Sequence, residues 1–190
     1  MTTIWTDSMI NAVFHLHGPA FKDKTLFWVC VRAALDNGFP VNAWGYRVNR
    51  REVEGRVTLL HLAIWNDSVE NVRMLLAAGA EFTKCHFYLL AHDATVEMLH
   101  FLKLQDKAVS DILTTNIDFL KDACAYPNHD PSLQKKQKLA WLLLQTTPDV
   151  LERVKVKVYT PWALEILRDA QQWLRRWSSP RAAWMCACVV

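Results

Sequence analysis

The chain has few of the residues that end or redirect secondary structure. Only 5 Gly and 7 Pro occur in 190 residues, which is about half of their usual share. A β-sandwich or β-barrel needs a turn roughly every 8 to 12 residues, and turns draw heavily on these two residue types. The shortage therefore disfavours all-β folds and favours a helical chain.

The chain also lacks a strong excess of charge. Its 22 Lys and Arg residues face 19 Asp and Glu residues, so the net charge is +3. This imbalance is too weak to indicate nucleic-acid binding by itself, and we do not expect nucleic acid to be the partner. Any function that depends on positive charge must therefore come from a local cluster of Lys and Arg residues.

Long apolar runs and targeting signals are missing as well. No segment approaches the run of about 18 apolar residues that a membrane-spanning helix needs. The first 25 residues have neither the basic start nor the apolar stretch of a signal peptide. We therefore expect a cytoplasmic protein, with the nucleus as an alternative.

The cysteines form no regular framework. Their number is odd, which favours free thiols in a reducing compartment, and we expect them to be small core side chains. Metal-binding spacings such as Cys-x-x-Cys and His-x-x-x-His do not occur, so we expect no metal ion and no other cofactor. The five residues are Cys30, Cys85, Cys124, Cys186 and Cys188.

Apolar residues recur at helical spacing in the first part of the chain. They predict helices over 6–16 and 25–35, the second with Leu26 and Val29 on its apolar stripe and Gly38 at its end. Residues 39–57 have no helical periodicity and predict an extended loop or a hairpin.

The same pattern then returns. Helices are predicted over 58–65 and 69–77, with Gly79 after the second, and the passage around Gly79 aligns with that around Gly38 at an offset of 41 residues. Such a period is typical of a stacked array of repeats.

The rest of the chain is also predicted to be helical, but its repeats are degenerate. Helices are expected over 86–92, 95–104, 110–115, 117–125, 132–144 and 161–177, whereas 149–158 is ambiguous between helix and strand. We divide the chain into 1–107, with the convincing repeats and the long loop, and 108–190, with degenerate repeats and a C-terminal capping helix.

One passage resembles a known family. Residues 58–63, Thr-Leu-Leu-His-Leu-Ala, followed by 69–80, Val-Glu-Asn-Val-Arg-Met-Leu-Leu-Ala-Ala-Gly-Ala, strongly resemble an ankyrin repeat, and 25–43 partly resembles the preceding copy. Leu59 stands where that family usually has Pro, and Asp67 and Ser68 where it has Gly-His. The resemblance implies an all-α, ankyrin-like solenoid of stacked helix pairs with a divergent helical C-terminal cap.

The resemblance also assigns structural roles. It implies that Leu60 and Ala63 pack between layers, that Thr58 and His61 tie the turn by a hydroxyl to imidazole contact, and that Gly79 ends the outer helix. The offset of 41 exceeds the family's repeat of 33 by 8 residues, so we place an insertion in the loop 39–57.

By the same resemblance, the function is protein–protein recognition, as in a scaffold or adaptor, through a concave face and the basic loop. Aromatic and Arg side chains of this kind are common at the centres of binding interfaces, and Arg suits carboxylates. The expected partner is therefore a protein, and an acidic surface on that protein would suit these Arg residues. The candidate binding residues are Trp44, Tyr46, Arg47, Arg50, Arg51, Trp65, Asn66 and His92.

Other interpretations stay open for these residues. Trp65 could instead cover the neighbouring layer, and the loop could be a solvated turn balanced by Glu52 and Glu54. The Arg loop could also contact nucleic acid, in which case binding would weaken steeply with salt.

A function of a different class would use a pocket between the C-terminal helices. An enzyme or small-molecule binder could use His129, Asp130 or Tyr159 there. The catalytic motifs Gly-x-Ser-x-Gly and the phosphate-binding glycine loop do not occur, which disfavours an enzyme.

The C-terminal end interleaves Trp and Arg residues and closes with Cys186 and Cys188. Acylation of both thiols would anchor the chain to a membrane, whereas the alternative, which we favour, is a capping helix that seals the last layer. Clustered lysines are expected on solvated faces; these are Lys135, Lys136, Lys138, Lys155 and Lys157.

Overall fold

The computed structural model describes residues 4–17, 24–49, 52–105, 107–124, 133–155 and 161–177. These residues form eleven helices and one two-stranded sheet. The prediction of a mainly helical chain is therefore confirmed. The chain divides into two compact units, which we call unit 1 (Met1–Leu89) and unit 2 (Leu90–Val190).

The described residues of unit 1 form four helices and most of a fifth, with a hairpin between the second helix and the third. Its α1 is capped by the Thr6 hydroxyl, which accepts from the Met9 N–H, and its α4 by the Ser68 hydroxyl, which accepts from the Asn71 N–H. Its elements are α1 (Asp7–His15), α2 (Lys24–Asp36), β1 (Gly45–Asn49), β2 (Glu52–Val57), α3 (Leu59–Trp65), α4 (Val69–Ala77) and most of α5 (Lys84–His92).

Helices α2 and α4 end in the same way. Gly38 and Gly79 have φ of 79° and 89°, a left-handed conformation that Gly adopts without steric cost. In both turns the residue after the glycine donates its N–H to a carbonyl five residues earlier, at 3.0 Å after α2 and 2.9 Å after α4. Asn42 joins the two turns, because its Nδ2 donates to the Gly79 carbonyl and its Oδ1 accepts from the Glu81 N–H.

The segment 39–57 contains a β-hairpin, one of the two alternatives that the sequence left open. Strands β1 and β2 are antiparallel, with Gly45 opposite Val57 and Tyr46 opposite Arg56, and the register shifts between Arg47 and Val48. The hairpin therefore places its first residues and its last residues side by side.

Helix α2 buries a different face from the one predicted. The buried residues are Phe27, Trp28 and Val31, whereas Leu26 and Val29, expected on the apolar stripe, are 47% and 57% exposed. Because α2 is apolar around much of its circumference, the spacing alone allowed either face to be chosen.

Helix α3 is the centre of unit 1. Every residue from 59 to 64 is buried, including Leu60 and Ala63. A helix that is apolar all round belongs in a core, so α3 has no solvated face along these six positions.

Unit 2 consists of helices throughout its described residues. Of the ambiguous stretch 149–158, residues 149–155 lie in helix α10, in which Val150 and Val154 are buried, and the other three lie outside the described residues. Lys138, expected on a solvated face, is instead buried. The helices are α6 (Val96–Gln105), α7 (Lys107–Thr115), α8 (Ile117–Cys124), α9 (Leu133–Leu144), α10 (Pro148–Lys155) and α11 (Pro161–Trp177). None of the helices in the described ranges has the length and apolar content to cross a bilayer.

The described cysteines differ in environment. Cys124 is buried, as expected of a core side chain, whereas Cys30 is half-buried and Cys85 is exposed. Burial raises the pKa of the Cys124 thiol to about 12, and only the thiolate is nucleophilic. We predict that iodoacetamide at pH 7.5 alkylates Cys85 more than about tenfold faster than Cys124. Peptide mapping by mass spectrometry would measure both rates, and equal rates in the folded protein would contradict the burial of Cys124.

Candidate partner-binding surface

Two Thr-x-x-His turns meet inside unit 1. The Thr58 Oγ1 lies 2.9 Å from the His61 Nδ1 and 2.9 Å from the His86 Nε2. The Thr83 Oγ1 lies 2.9 Å from the His86 Nδ1, and the two imidazole centroids are 4.0 Å apart. One hydroxyl thus bridges the start of α3 to the first turn of α5.

The backbone donors of this network fix the imidazole tautomers. The Thr58 and Thr83 N–H groups donate to the Nδ1 atoms of His61 and His86, at 3.2 and 2.8 Å. A nitrogen that accepts carries no proton, so each neutral ring holds its proton on Nε2. His86 therefore donates from Nε2 to the Thr58 Oγ1, and the Thr58 hydroxyl is left to donate toward His61.

Protonation is unfavourable at both rings. Burial lowers the pKa of His61 below its ordinary value. Burial, together with the neighbouring His61, lowers the pKa of His86 to about 3. The pair is therefore neutral at physiological pH, the state in which each Nδ1 can accept from a backbone N–H.

At the base of the hairpin, aromatic side chains are exposed beside His61. The Trp44 ring lies 5.4 Å from the His61 ring and is 36% exposed. Tyr46, which is 43% exposed, lies under the Arg56 guanidinium at 5.9 Å, and its N–H donates to the Asn11 Oδ1. Trp44, Tyr46 and Arg56 form what we call the hairpin surface.

The other predicted contact residues lie elsewhere. Trp65, at the end of α3, is 47% exposed. Asn66 is used within unit 1, because its Nδ2 donates to the Leu62 carbonyl and to the His17 Nε2 while its Oδ1 accepts from the Lys24 Nζ. The Asn66 side chain thus serves to order its neighbours.

His92 lies among the charges of unit 2. It is half-buried, and burial lowers its pKa, an effect that the Asp122 carboxylate opposes and the Lys138 ammonium reinforces. His92 belongs to unit 2, whereas Trp44 and Tyr46 belong to unit 1.

Several predicted residues lie outside the described part of the chain. For Arg47 only the backbone, in β1, is described. The remaining ones are Arg50, Arg51, His129, Asp130, Tyr159, Cys186 and Cys188. Within the described ranges, no cluster of three or more metal-ligating side chains occurs.

His86 and Thr83 were not predicted to belong to this network. A signal for both was present, since Thr83 and His86 repeat the Thr-x-x-His spacing of Thr58 and His61 after 25 residues. The copy has Lys84 and Cys85 between its Thr and His, where the first turn has two leucines, and this difference concealed the repeat.

The comparisons with known proteins leave these residues as the sole basis for a functional assignment. No family model, no curated protein and no solved structure matches the chain. The resemblance of residues 58–80 to an ankyrin repeat therefore stays a prediction.

Proposed function

We propose that this chain is a protein-interaction module whose unit 1 is an ankyrin-like array of helix pairs. The support lies in two repeated devices. Gly38 and Gly79 end α2 and α4 with the same left-handed turn, and the Thr58 hydroxyl links one Thr-x-x-His turn to the next. Repetition of the same caps and turns is what stacked helix pairs require.

The hairpin surface is the proposed contact site. The main observation in its support is that Trp44 and Tyr46 are exposed although both are held in place. Trp44 is held by the His61 ring, and Tyr46 by strand pairing and by Arg56. Ordered aromatic and Arg side chains dominate interface energies, since their ordering cost is already met in the free protein.

The partner is proposed to be a protein with an acidic surface. Arg56 supplies one cation at the hairpin surface, and the sequence has three more Arg residues between Tyr46 and Arg56, namely Arg47, Arg50 and Arg51. Guanidinium groups bind carboxylates in bidentate geometry, so the aromatic rings would supply contact area and the Arg residues specificity.

Site-specific photocrosslinking tests this function. A photoreactive phenylalanine analogue at Tyr46 should crosslink a defined protein in cells, whereas the same analogue at Tyr88, which is also exposed in unit 1, should not. The Arg47→Glu, Arg50→Glu variant should reduce the yield about tenfold or more, as hot-spot losses exceed about 1.4 kcal/mol.

The matched control for charge is the Lys84→Glu, Lys107→Glu variant, whose positions are exposed and remote from the hairpin in sequence. It should leave the yield unchanged. Equal crosslinking at Tyr46 and Tyr88 would contradict the proposed function, and so would a crosslinking yield that the Arg substitutions leave unchanged. Crosslinking to nucleic acid that decreases steeply with salt would assign a different partner class.

A further inference from the structure

Unit 1 has an open groove that is separate from the hairpin. It lies between α2 on one side and α4 with the turn that precedes it on the other, and has a volume of about 410 Å³. Its walls include Lys24, Trp28, Val29 and Arg32 from α2, and Asn71 and Met74 from α4. The hairpin surface, by contrast, consists of Trp44, which precedes β1, Tyr46 of β1 and Arg56 of β2.

Three apolar side chains, those of Trp28, Val29 and Met74, line the groove among polar ones. Val29 is 57% exposed, Trp28 forms the buried edge, and Met74 is half-buried on the facing helix. This exposure follows from the way α2 is turned, since Phe27 and Val31 occupy the core. Removing such apolar side chains from water contributes about 25 cal/mol per Å² of buried area.

One end of the groove holds a pre-ordered cation. The Lys24 Nζ donates to the Asn66 Oδ1 at 2.9 Å, and Asn66 is fixed by the Leu62 carbonyl at 2.7 Å and the His17 Nε2 at 3.1 Å. The amide is neutral, so it orders the lysine without neutralising it. A partner carboxylate would then gain the Coulomb attraction without the usual cost of ordering a Lys side chain.

The second cation lies two turns along the same helix face. Lys24, Trp28 and Arg32 are spaced by four residues, which puts the two charges about 12 Å apart along α2. No ion pair to Arg32 is found within the described residues. Glu70 on the α4 wall is the opposing charge, so a uniformly acidic segment fits less well than one that is acidic on one side only.

We propose that this groove binds an amphipathic helix of the protein partner, one with two carboxylates seven or eight residues apart and apolar residues between them. The carboxylates pair with Lys24 and Arg32, and the apolar residues pack on Trp28, Val29 and Met74. Recognition by an apolar helix face in a groove is an established binding mode. This inference rests on the proposed function and adds a second contact site to it.

The test uses a displayed library of 18-residue peptides with apolar residues fixed at i, i+3, i+4 and i+7 and all other positions random. Peptides are selected for binding to the full chain, and those that also bind the Lys24→Gln, Arg32→Gln variant are removed. The remaining peptides should be enriched in pairs of Asp or Glu seven or eight positions apart. The dissociation constant of such a peptide should rise at least tenfold for Arg32→Glu and for Val29→Asp. For Lys84→Glu it should change less than twofold.

Unfolding temperatures of all variants establish that each one is folded. The proposal is overturned if no peptide distinguishes the full chain from the double Gln variant, or if the selected peptides carry no acidic pair. Displacement of the peptides by single-stranded DNA at the groove would overturn it too. Loss of binding in Trp44→Ala or Arg56→Glu, with the groove variants unaffected, would place the site on the hairpin surface and leave the proposed function standing without the groove.

Discussion

Lowering the pH from 6.5 to 4 is expected to destabilise the protein through His61 and His86. An unfolded histidine has a pKa near 6.5, whereas burial lowers the pKa of His61, and burial with the neighbouring His61 lowers that of His86 to about 3. The stabilising contribution of each ring is therefore complete above pH 6.5. It decreases as the pH falls below 6.5, because the unfolded state then binds protons that the folded state does not.

The expected magnitude is large. Each such histidine lowers the free energy of unfolding by up to about 1.4 kcal/mol per pH unit, so His86 alone accounts for roughly 3 kcal/mol at pH 4. The structural reason is that a proton on Nδ1 would face the Thr83 N–H, which donates to that atom. Urea unfolding at pH 6.5, 5.5 and 4.5 would measure the dependence.

Carboxylates also lower stability in acid, so the test is a comparison of variants. The His86→Gln variant should lose less stability per pH unit than the unchanged protein. The matched His100→Gln variant should keep the full dependence, because His100 is exposed. Identical slopes for the protein and His86→Gln would show that His86 is not neutral and buried in the folded state.

Replacing Gly45 by Ala is expected to be the most damaging single-methyl change in unit 1. A Cβ at Gly45 would lie 2.0 Å from the Cδ2 of Phe14, far inside van der Waals contact, and Phe14 is buried. The ring of Phe14 must then move or α1 must separate from β1. Overpacking of this kind costs about 1 to 3 kcal/mol or more, which urea unfolding would detect.

A double-mutant cycle separates this clash from a backbone effect. Phe14→Leu should recover part of the loss in Gly45→Ala, which gives a coupling energy of about 1 kcal/mol. Gly38→Ala is the control, because Gly38 has φ of 79° and no atom within 4 Å of an added Cβ. Its cost comes from conformation and should not be relieved by Phe14→Leu. Coupling at Gly38 equal to that at Gly45 would contradict the close approach of Phe14.

The helices of this chain could be predicted well where local chemistry defines their ends. Ser68 caps α4 and Gly79 follows it, and the predicted range 69–77 agrees with the structure. Pro161 marks the start of α11 in the same way. These signals act within one turn of a helix, so the sequence contains them in full.

Features that depend on distant contacts were predicted less well. The face of α2 was assigned through Leu26 and Val29, although Phe27 and Val31 are buried, because an almost wholly apolar helix is oriented by its neighbours. Lys138 was expected in solvent for a similar reason: a lysine pattern on α9 carries no information about the residues packed against it.

The candidate site was predictable in part. Trp44 and Tyr46 were identified by residue type, and the structure leaves both exposed. Asn66 was assigned to a partner although its amide orders Lys24, a contact across 42 residues that no local pattern indicates. The groove between α2 and α4 was missed for the same reason, since its walls come from two distant segments.

The arrangement proposed for unit 1 depends most on the bridge that joins the two Thr-x-x-His turns, and the imidazole tautomers report on it directly. A long-range ¹H–¹⁵N spectrum of the histidine-labelled protein, recorded from pH 7 to pH 4.5, would assign the protonated nitrogen of each ring. We predict that His61 and His86 both carry their proton on Nε2 and that His86 stays neutral across this range. A proton on Nδ1 of either ring, or titration of His86 near pH 6.5, would contradict the bridge and with it the repeated layers proposed for unit 1.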